Sequence, residues 1–199
     1  MKIKDVIATL ERFAPLPLQD GFDNAGLQIG QTGAEVSGVL LCLDVTEAVV
    51  DEAVASGANL IVAHHPLLFH GLKCIAGRNT VERCVVRAIE NRIAVYAAHT
   101  NLDNARGGVN YKIAEKLGAT VVPNSSGNTE KALMYMRDFG TTALVATPSY
   151  ALYMCETAKE LDYPMSDYKL RLGLFGSEGC TPEMRTQIEK GWGLFATDN

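Results

Sequence analysis

Histidine is absent from the second half of this 199-residue chain, since all four of its histidines lie at or before position 99. Long apolar runs are absent too, and because a membrane-spanning helix needs about 18 or more consecutive apolar residues, the sequence predicts none. The first residues lack the apolar stretch of a signal peptide. The net charge of −5 leaves no basic surplus for binding phosphates. We therefore expect neither a membrane nor a nucleic-acid partner.

The sequence also shows no sign of paired cysteines. The five cysteines are odd in number and widely spaced, and they form no CxxC motif. This usage predicts a protein of the reducing cytoplasm without a disulfide framework. The composition is 47% hydrophobic and 21% charged, which is typical of a soluble globular protein with one full core or two small ones.

The spacing of apolar residues predicts strands and helices in alternation. An amphipathic helix opens the chain, Thr46 and Thr80 are candidate N-caps of later helices, and Gly57 and Gly118 are candidate helix ends. The predicted strands are 38–44, 59–63, 93–98, 119–122, 142–146 and 170–175. This alternation predicts an α/β fold with a mostly parallel sheet flanked by helices on both faces.

Three histidines directly follow apolar runs that are predicted to be strands. They are His64, His65 and His99, and Asp103 lies four residues further on. The residue after a parallel strand lies at the carboxyl edge of the sheet, where such folds bind ligands. Imidazole nitrogens and a carboxylate at one edge predict a metal site.

The details of that site allow alternatives. Adjacent histidines point in different directions and therefore suit two metal ions, which Asp103 can bridge at a separation of about 3.5–4 Å. His99 either binds a metal or orients Asp103. Each histidine could also be an ordinary surface or hydrogen-bonded residue, and that is the interpretation preferred for His70, which follows Phe69 in a loop.

Three motifs carry a resemblance to a known family. They are Asp23-Asn24-Ala25-Gly26-Leu27-Gln28-Ile29-Gly30, His64-His65-Pro66, and His99-Thr100-Asn101-Leu102-Asp103 followed by Gly107-Gly108-Val109-Asn110. Over residues 1–117 the chain resembles the Nif-three-like family, also catalogued as GTP cyclohydrolase I type 2 homologues. The resemblance implies an α/β fold, a ring-shaped homohexamer and a dinuclear metal centre whose ligands here are His64, His65 and Asp103.

The chain departs from that family in one respect. The family completes its metal centre with another histidine and a glutamate near the C-terminus, whereas no histidine follows His99 here. We therefore expect fewer than two ions per subunit. The ion is divalent, and Zn, Mn, Fe, Co and Ni all suit nitrogen and oxygen ligands.

The second part of the chain resembles a different family. Residues 115–199 are similar to an internal slice of phenylacetate–CoA ligases, which form adenylates, in segments that include Ser125 to Glu130, Asp138-Phe139-Gly140 and Gly176-Ser177-Glu178. The earlier phosphate loop and the later adenylation motif of the ligases are both missing, so we expect no ligase activity. We predict a chimaera with a metal-binding α/β region at 1–117 and an incomplete ligase-like α/β fragment at 118–199.

Three functions remain open at this point. The first is a dinuclear-metal-centre protein of the Nif-three-like family that acts as a metal-dependent hydrolase on a nucleotide-like substrate, with its site incomplete in this chain. The second is a non-enzymatic, metal-binding hexameric scaffold or regulatory protein. The third is an inactive ligase fragment. Bound metal separates the first two from the third, and metal-dependent turnover separates the first from the second.

Overall fold

The computed structural model describes residues 1–122 and 127–198. The chain divides into two compact units, unit 1 (Met1–Pro123) and unit 2 (Asn124–Asn199). The segment Ser125 to Glu130, for which the sequence predicts a resemblance to the ligases, lies partly outside the described residues.

Unit 1 alternates strands and helices, as the apolar spacing predicts. A short 3-10 helix, Leu16–Leu18, follows the first α-helix. The elements of unit 1 in chain order are α1 (Ile3–Phe13), β1 (Gly26–Ile29), β2 (Val39–Cys42), α2 (Glu47–Ser56), β3 (Leu60–Ala63), α3 (Thr80–Glu90), β4 (Ala94–Ala97), α4 (Thr100–Asn104) and α5 (Val109–Leu117).

The four strands of unit 1 form one sheet in the order β1-β4-β3-β2. Strands β2, β3 and β4 are parallel, whereas β1 runs antiparallel to β4. The two central strands are almost entirely buried, as expected for parallel strands that are covered on both faces.

Two hydrophobic clusters cover the two faces of this sheet. On one face, Ile3 and Ile7 of α1 pack with Leu60 and Tyr96. On the other, Val50 of α2 belongs to a cluster formed by α2, α3 and the opposite side of the same strands. The apolar stripe of each helix is therefore removed from water, which is the main favourable contribution to folding. The mostly parallel sheet flanked by helices is confirmed.

The ends of helices α2 and α3 show how the sequence sets local structure. Thr46 accepts a hydrogen bond from the Val49 N–H, and Gly57 ends α2 in the left-handed conformation, as predicted. The predicted cap Thr80 is wrong by one residue. Asn79 is the N-cap of α3, because its side-chain oxygen accepts the Glu82 N–H at 2.9 Å and Thr80 is already helical.

The predicted strand at 119–122 is also wrong, because these residues lie outside the strands of the structure. Gly118 ends α5 in the left-handed conformation. The N–H of Ala119 then donates to the carbonyl of Ala114 at 2.8 Å. The backbone is therefore engaged by the end of the helix at the point where a strand would begin.

Unit 2 has a separate sheet and core. Its strands are all parallel in the order β5-β6-β7. Leu133, Met154, Phe175, Ile188 and Trp192 belong to a single buried cluster contributed by the three helices and the sheet. Its elements are α6 (Thr129–Asp138), β5 (Ala143–Ala146), α7 (Pro148–Glu160), a short 3-10 helix (Met165–Asp167), β6 (Leu172–Phe175), α8 (Pro182–Trp192) and β7 (Phe195–Asp198).

Within the ranges 1–122 and 127–198, no helix combines the length and the apolar character that crossing a membrane requires.

Candidate metal centre

The register of the sheet in unit 1 brings several polar side chains to one edge. Cys42 pairs with Ala63, and Ala63 pairs with Ala97, so β2, β3 and β4 end side by side. Their continuations therefore leave the sheet at the same carboxyl edge. The polar residues in these continuations are Asp44, His64, His65 and His99.

The three histidines form one tight group at this edge. The ring centroids of His64 and His65 are 4.9 Å apart, those of His64 and His99 are 5.4 Å apart, and those of His65 and His99 are 5.7 Å apart. One ring nitrogen from each histidine lies within 4.8 Å of the other two. The group could hold a metal ion.

The hydrogen bond of His64 fixes which of its nitrogens is available. Its Nδ1 lies 2.9 Å from the carbonyl oxygen of Ala98, and since a carbonyl only accepts, Nδ1 carries the proton and donates. The lone pair of the neutral ring is then on Nε2. That atom lies 3.8 Å from Oδ1 of Asp103. Two donors on one ion at bonds of about 2.0–2.1 Å are at most about 4.2 Å apart, so this pair fits a shared ion.

His99 is oriented by a buried carboxylate. Its Nδ1 lies 2.8 Å from Oδ1 of Asp23, whose side chain is completely buried. The other oxygen of Asp23 accepts hydrogen bonds from the backbone N–H of Thr100, at 3.1 Å, and from the Thr100 hydroxyl. Burial raises the pKa of Asp23, but the hydrogen bonds from His99, Thr100 and the Asn24 N–H outweigh it and hold the pKa below its ordinary value. Asp23 is therefore ionised and presents His99 with Nε2 available.

Asp23 reaches this edge because of the direction of β1. Strand β1 is antiparallel to β4, and Gly26 at its start pairs with Ala97 at the end of β4. The residues that precede β1 therefore lie at the same edge as the residues that follow β4.

His65 has an equivalent but exposed partner. Its Nδ1 lies 2.8 Å from Oδ1 of Asp44, two residues past the end of β2. The side chains of His65 and Asp44 are 49% and 67% exposed. His65 therefore lies on the open side of the group, where water or a ligand can approach.

Asp103 is held against the histidines by helix α4. Burial raises its pKa, and the nearby His64 and His99 offset only part of that effect. The helix is fastened by the fully buried Asn101, whose side-chain nitrogen donates to the carbonyl of Ala14 at 2.8 Å. After α4 the chain turns at Gly108, where a Cβ atom would collide with the carbonyl oxygen of Leu102. Only glycine fits that approach.

Comparison with known protein families identifies the group to which this chain belongs. A family model described as Duf34/NIF3 (NGG1p interacting factor 3) matches residues 1–188. The chain belongs to the DUF34/NIF3 family. The predicted resemblance to this family over residues 1–117 is thereby confirmed.

Relatives in the NIF3 family match a shorter part of the chain. A GTP cyclohydrolase 1 type 2 homolog of Clostridium perfringens is 43% identical over 118 residues, which are 59% of this chain and 45% of the relative. A protein of the same description from Bacillus subtilis is 43% identical over 114 residues, or 57% of this chain and 31% of the relative. The chain thus spans less than half the length of these relatives.

Solved structures agree with the family assignment. A Bacillus cereus protein related to NIF3 is 47% identical with a TM-score of 0.56, over 59% of this chain and 32% of that protein. Reduced HcgD from Methanocaldococcus jannaschii is 23% identical with a TM-score of 0.70, over 96% of this chain and 84% of that protein. The second likeness concerns the fold alone.

Of the three metal ligands that the sequence predicts for this NIF3 protein, His64 and His65 lie in the tight group with His99, and Asp103 lies beside that group. His64 and Asp103 are in direct proximity, His65 contacts the same group, and both His65 and His99 contribute to the electrostatic environment of Asp103. Whether these residues bind metal stays a prediction. The assignment of residues 118–199 to a ligase fragment, and with it the chimaera, also stays a prediction.

Sequence reasoning assigned no role to Asp23 or Asp44, although both hold histidines of the group. A signal was available for Asp44, which lies two residues after β2 just as His65 lies two residues after β3. Asp23 lies in the first of the three family motifs, but it precedes strand β1 and so does not follow the same rule. His70 is placed beside the ring of Phe69, with centroids 5.1 Å apart, and lies outside the group of three histidines.

Proposed function

We propose that this protein binds a divalent transition-metal ion through His64, His65, His99 and Asp103 and uses it for hydrolysis. The observation that carries the proposal is that Nδ1 of each histidine is held by an oxygen atom of the chain. Metal-binding histidines are typically oriented in this way, with the second nitrogen directed at the metal. This arrangement adds His99 to the three predicted ligands.

The donor set fits such an ion. Three imidazoles and one carboxylate suit Zn, Mn, Fe, Co or Ni, and they provide the three or four protein ligands of a single site. The extra histidine that the family resemblance implies for a second ion is not in the sequence, which has none after His99. We therefore propose fewer than two tightly bound ions per subunit.

The residues around the site support hydrolytic chemistry. A divalent metal held by these residues would lower the pKa of a coordinated water to about 7 and so would supply a nucleophile at neutral pH. Asp23 and Asp44 orient His99 and His65, and the exposed side of His65 leaves room for a substrate. The name of the relatives, GTP cyclohydrolase 1 type 2 homolog, makes a nucleotide-like molecule the first substrate to test.

Metal analysis tests the proposal. The purified chain is incubated with each candidate ion, dialysed, and analysed by inductively coupled plasma mass spectrometry. We expect between about 0.5 and 1.5 ions per subunit, with most of the metal lost in His64→Ala and His65→Ala. His70→Ala is the matched control, because His70 lies on a neighbouring loop outside the group. Two tightly held ions, or equal losses in all three variants, would contradict the proposed site.

Turnover then separates an enzyme from a metal-binding scaffold. Nucleotides are offered to the metal-loaded and the metal-stripped protein, and products are separated by chromatography. Hydrolysis that depends on metal and disappears in His65→Ala supports the enzyme. Full metal loading without turnover of any nucleotide would favour the non-enzymatic alternative.

The oligomeric state and location form part of the same proposal. The family resemblance implies a homohexamer, and the cysteine usage predicts the cytoplasm. Light scattering coupled to size-exclusion chromatography measures the mass directly. A monomer of 21.5 kDa would contradict the hexamer.

A further inference from the structure

Two exposed aromatic side chains lie beside the histidine group. Phe22 is 61% exposed and Phe69 is 39% exposed, and their ring centroids are 6.4 Å apart. Phe69 also meets His99 edge-on, with centroids 6.3 Å apart. Large apolar side chains that remain in contact with water next to a polar site are typical of ligand-binding surfaces.

The loop that carries Phe69 is fixed by side chains of the β1 segment. Asn24 Nδ2 donates to the carbonyl of Leu68 at 2.6 Å, and the Leu68 N–H donates to Oε1 of Gln28 at 3.0 Å. Gln28 Nε2 in turn donates to the carbonyl of Asn24 at 2.6 Å. Both backbone polar groups of the residue before Phe69 are therefore occupied, and the backbone next to Phe69 is held by these hydrogen bonds.

The same segment connects this loop to the metal ligands. Phe22 immediately precedes Asp23, whose buried carboxylate orients His99. Asn24 follows Asp23 directly and holds the Phe69 loop. Three consecutive residues thus supply the Phe22 ring, the carboxylate that orients His99 and a hydrogen bond to the Phe69 loop.

We propose that Phe22 and Phe69 form a platform for a planar aromatic ring of the substrate, which places the bond to be cleaved at the histidine group. This inference rests on the proposed function and specifies its substrate class as a molecule with an aromatic or heteroaromatic ring. Aromatic rings prefer offset-stacked or edge-to-face contacts with other rings, and the faces and edges of Phe22, Phe69 and His99 offer both.

A purely structural role makes a different prediction. If the two phenylalanines only shield the loop from water, leucine would serve as well, because it is apolar and of similar size. A ring-binding role requires an aromatic side chain at both positions. Phe69→Leu and Phe69→Tyr therefore distinguish the two roles.

The test compares two probes that share a polyphosphate group but differ in the ring. Binding of GTP and of inorganic tripolyphosphate is measured by isothermal titration calorimetry on the full chain, and the metal content of each sample is determined alongside. We expect the wild type to bind GTP at least about tenfold more tightly than tripolyphosphate, since stacking of one base on an aromatic side chain has about this effect. Phe22→Leu and Phe69→Leu should each weaken GTP binding about fivefold to tenfold without changing tripolyphosphate binding.

The controls make the result specific. Phe69→Tyr keeps a ring and should bind GTP like the wild type. Phe13→Leu removes another exposed ring of unit 1, 54% exposed at the end of α1, and should change neither affinity.

A wild type that binds neither probe, or binds both equally, overturns the inference, and so do variants that weaken the binding of both probes in parallel. Because the measure is a ratio of two affinities, it is obtained with or without metal. Failure of the metal site is seen separately in the metal content.

Discussion

Replacing Asp23 with asparagine keeps the shape of the side chain but removes its charge and half of its accepting capacity. In the native protein one oxygen of Asp23 faces His99 and the Asn24 N–H, and the other faces the backbone and hydroxyl of Thr100. An amide must direct its NH₂ group toward one of these sets of donors. At least one of these donors then loses its partner, because an amide nitrogen cannot accept.

The expected magnitude follows from the burial. The Asp23 side chain is completely buried. A donor left without a partner at such a buried side chain costs about 1–3 kcal/mol, so the free energy of unfolding should fall by about that amount. Loss of the residue that orients a metal-binding histidine typically lowers metal affinity by about 10–100-fold. Both changes should appear together in Asp23→Asn.

The chain offers a matched control in Asp44. It accepts from His65 at 2.8 Å, the same length as the bond between Asp23 and His99, but its side chain is 67% exposed. In Asp44→Asn, water can replace the missing interactions, and exposed pairs contribute only about 0–1 kcal/mol. We therefore expect less than about a fivefold loss of metal affinity and a change in stability below about 0.5 kcal/mol.

Urea unfolding of the metal-free protein and competition with a chromophoric chelator measure the two quantities. The reasoning fails if Asp44→Asn and Asp23→Asn lose equal amounts of stability and metal affinity, since burial would then not determine the strength of these contacts. It also fails if Asp23→Asn keeps native metal affinity, because His99 would then not need its orienting carboxylate.

Three further results are expected. Because the pKa of Asp103 is raised, its ionised form destabilises the folded protein at pH values above the ordinary pKa of 3.8. Asp103→Asn should therefore raise the melting temperature of the metal-free protein at pH 7, and it should weaken metal binding. A lower melting temperature would contradict this expectation. The pKa of Glu82 is lowered by hydrogen bonds from the backbone of Arg78 and Ala76, so its stabilising effect is present above the ordinary value of 4.5 and is lost as the pH falls through the lower, folded value. Glu82→Gln should therefore flatten the fall of the melting temperature below pH 4.5, and an unchanged pH profile would show that Glu82 does not contribute. In calorimetry, unit 1 and unit 2 should unfold in separate transitions, because each has its own core. Metal should stabilise only unit 1, and it should raise the free energy of unfolding of that unit by about 2.7 kcal/mol at a metal concentration of 100 times the dissociation constant. A single transition that metal shifts as a whole would refute independent unfolding.

The position of the three histidines at the carboxyl edge of the sheet can be predicted from the sequence, because the rule that places them there is local. An apolar strand followed by a polar residue places that residue at the end of the sheet, and His64, His65 and His99 obey this rule. The alternation of elements likewise predicts the mostly parallel sheet. These features depend on periodicity within a few residues, which a single sequence displays directly.

Other features depend on pairing between distant segments. Asp23 precedes its strand, and it joins the site only because β1 runs antiparallel to β4, a direction that periodicity does not encode. Ala119 follows a helix end whose hydrogen bonds extend past the glycine, so a short apolar run there is not a strand. Asn101 is polar yet fully buried, and only the position of the Ala14 carbonyl explains why.

The antiparallel strand β1 has a consequence for the order of events during folding. The bond between His99 and Asp23 joins residues 76 positions apart, and the one between His64 and Ala98 joins residues 34 apart. Closing such long loops is entropically costly and slow compared with forming local contacts. A nascent chain therefore lacks the carboxylate that orients His99 until β1 has docked on β4. Metal uptake should thus be a late step that reports completed assembly of unit 1, and the rate of metal capture during refolding would measure how fast the first strand finds its place.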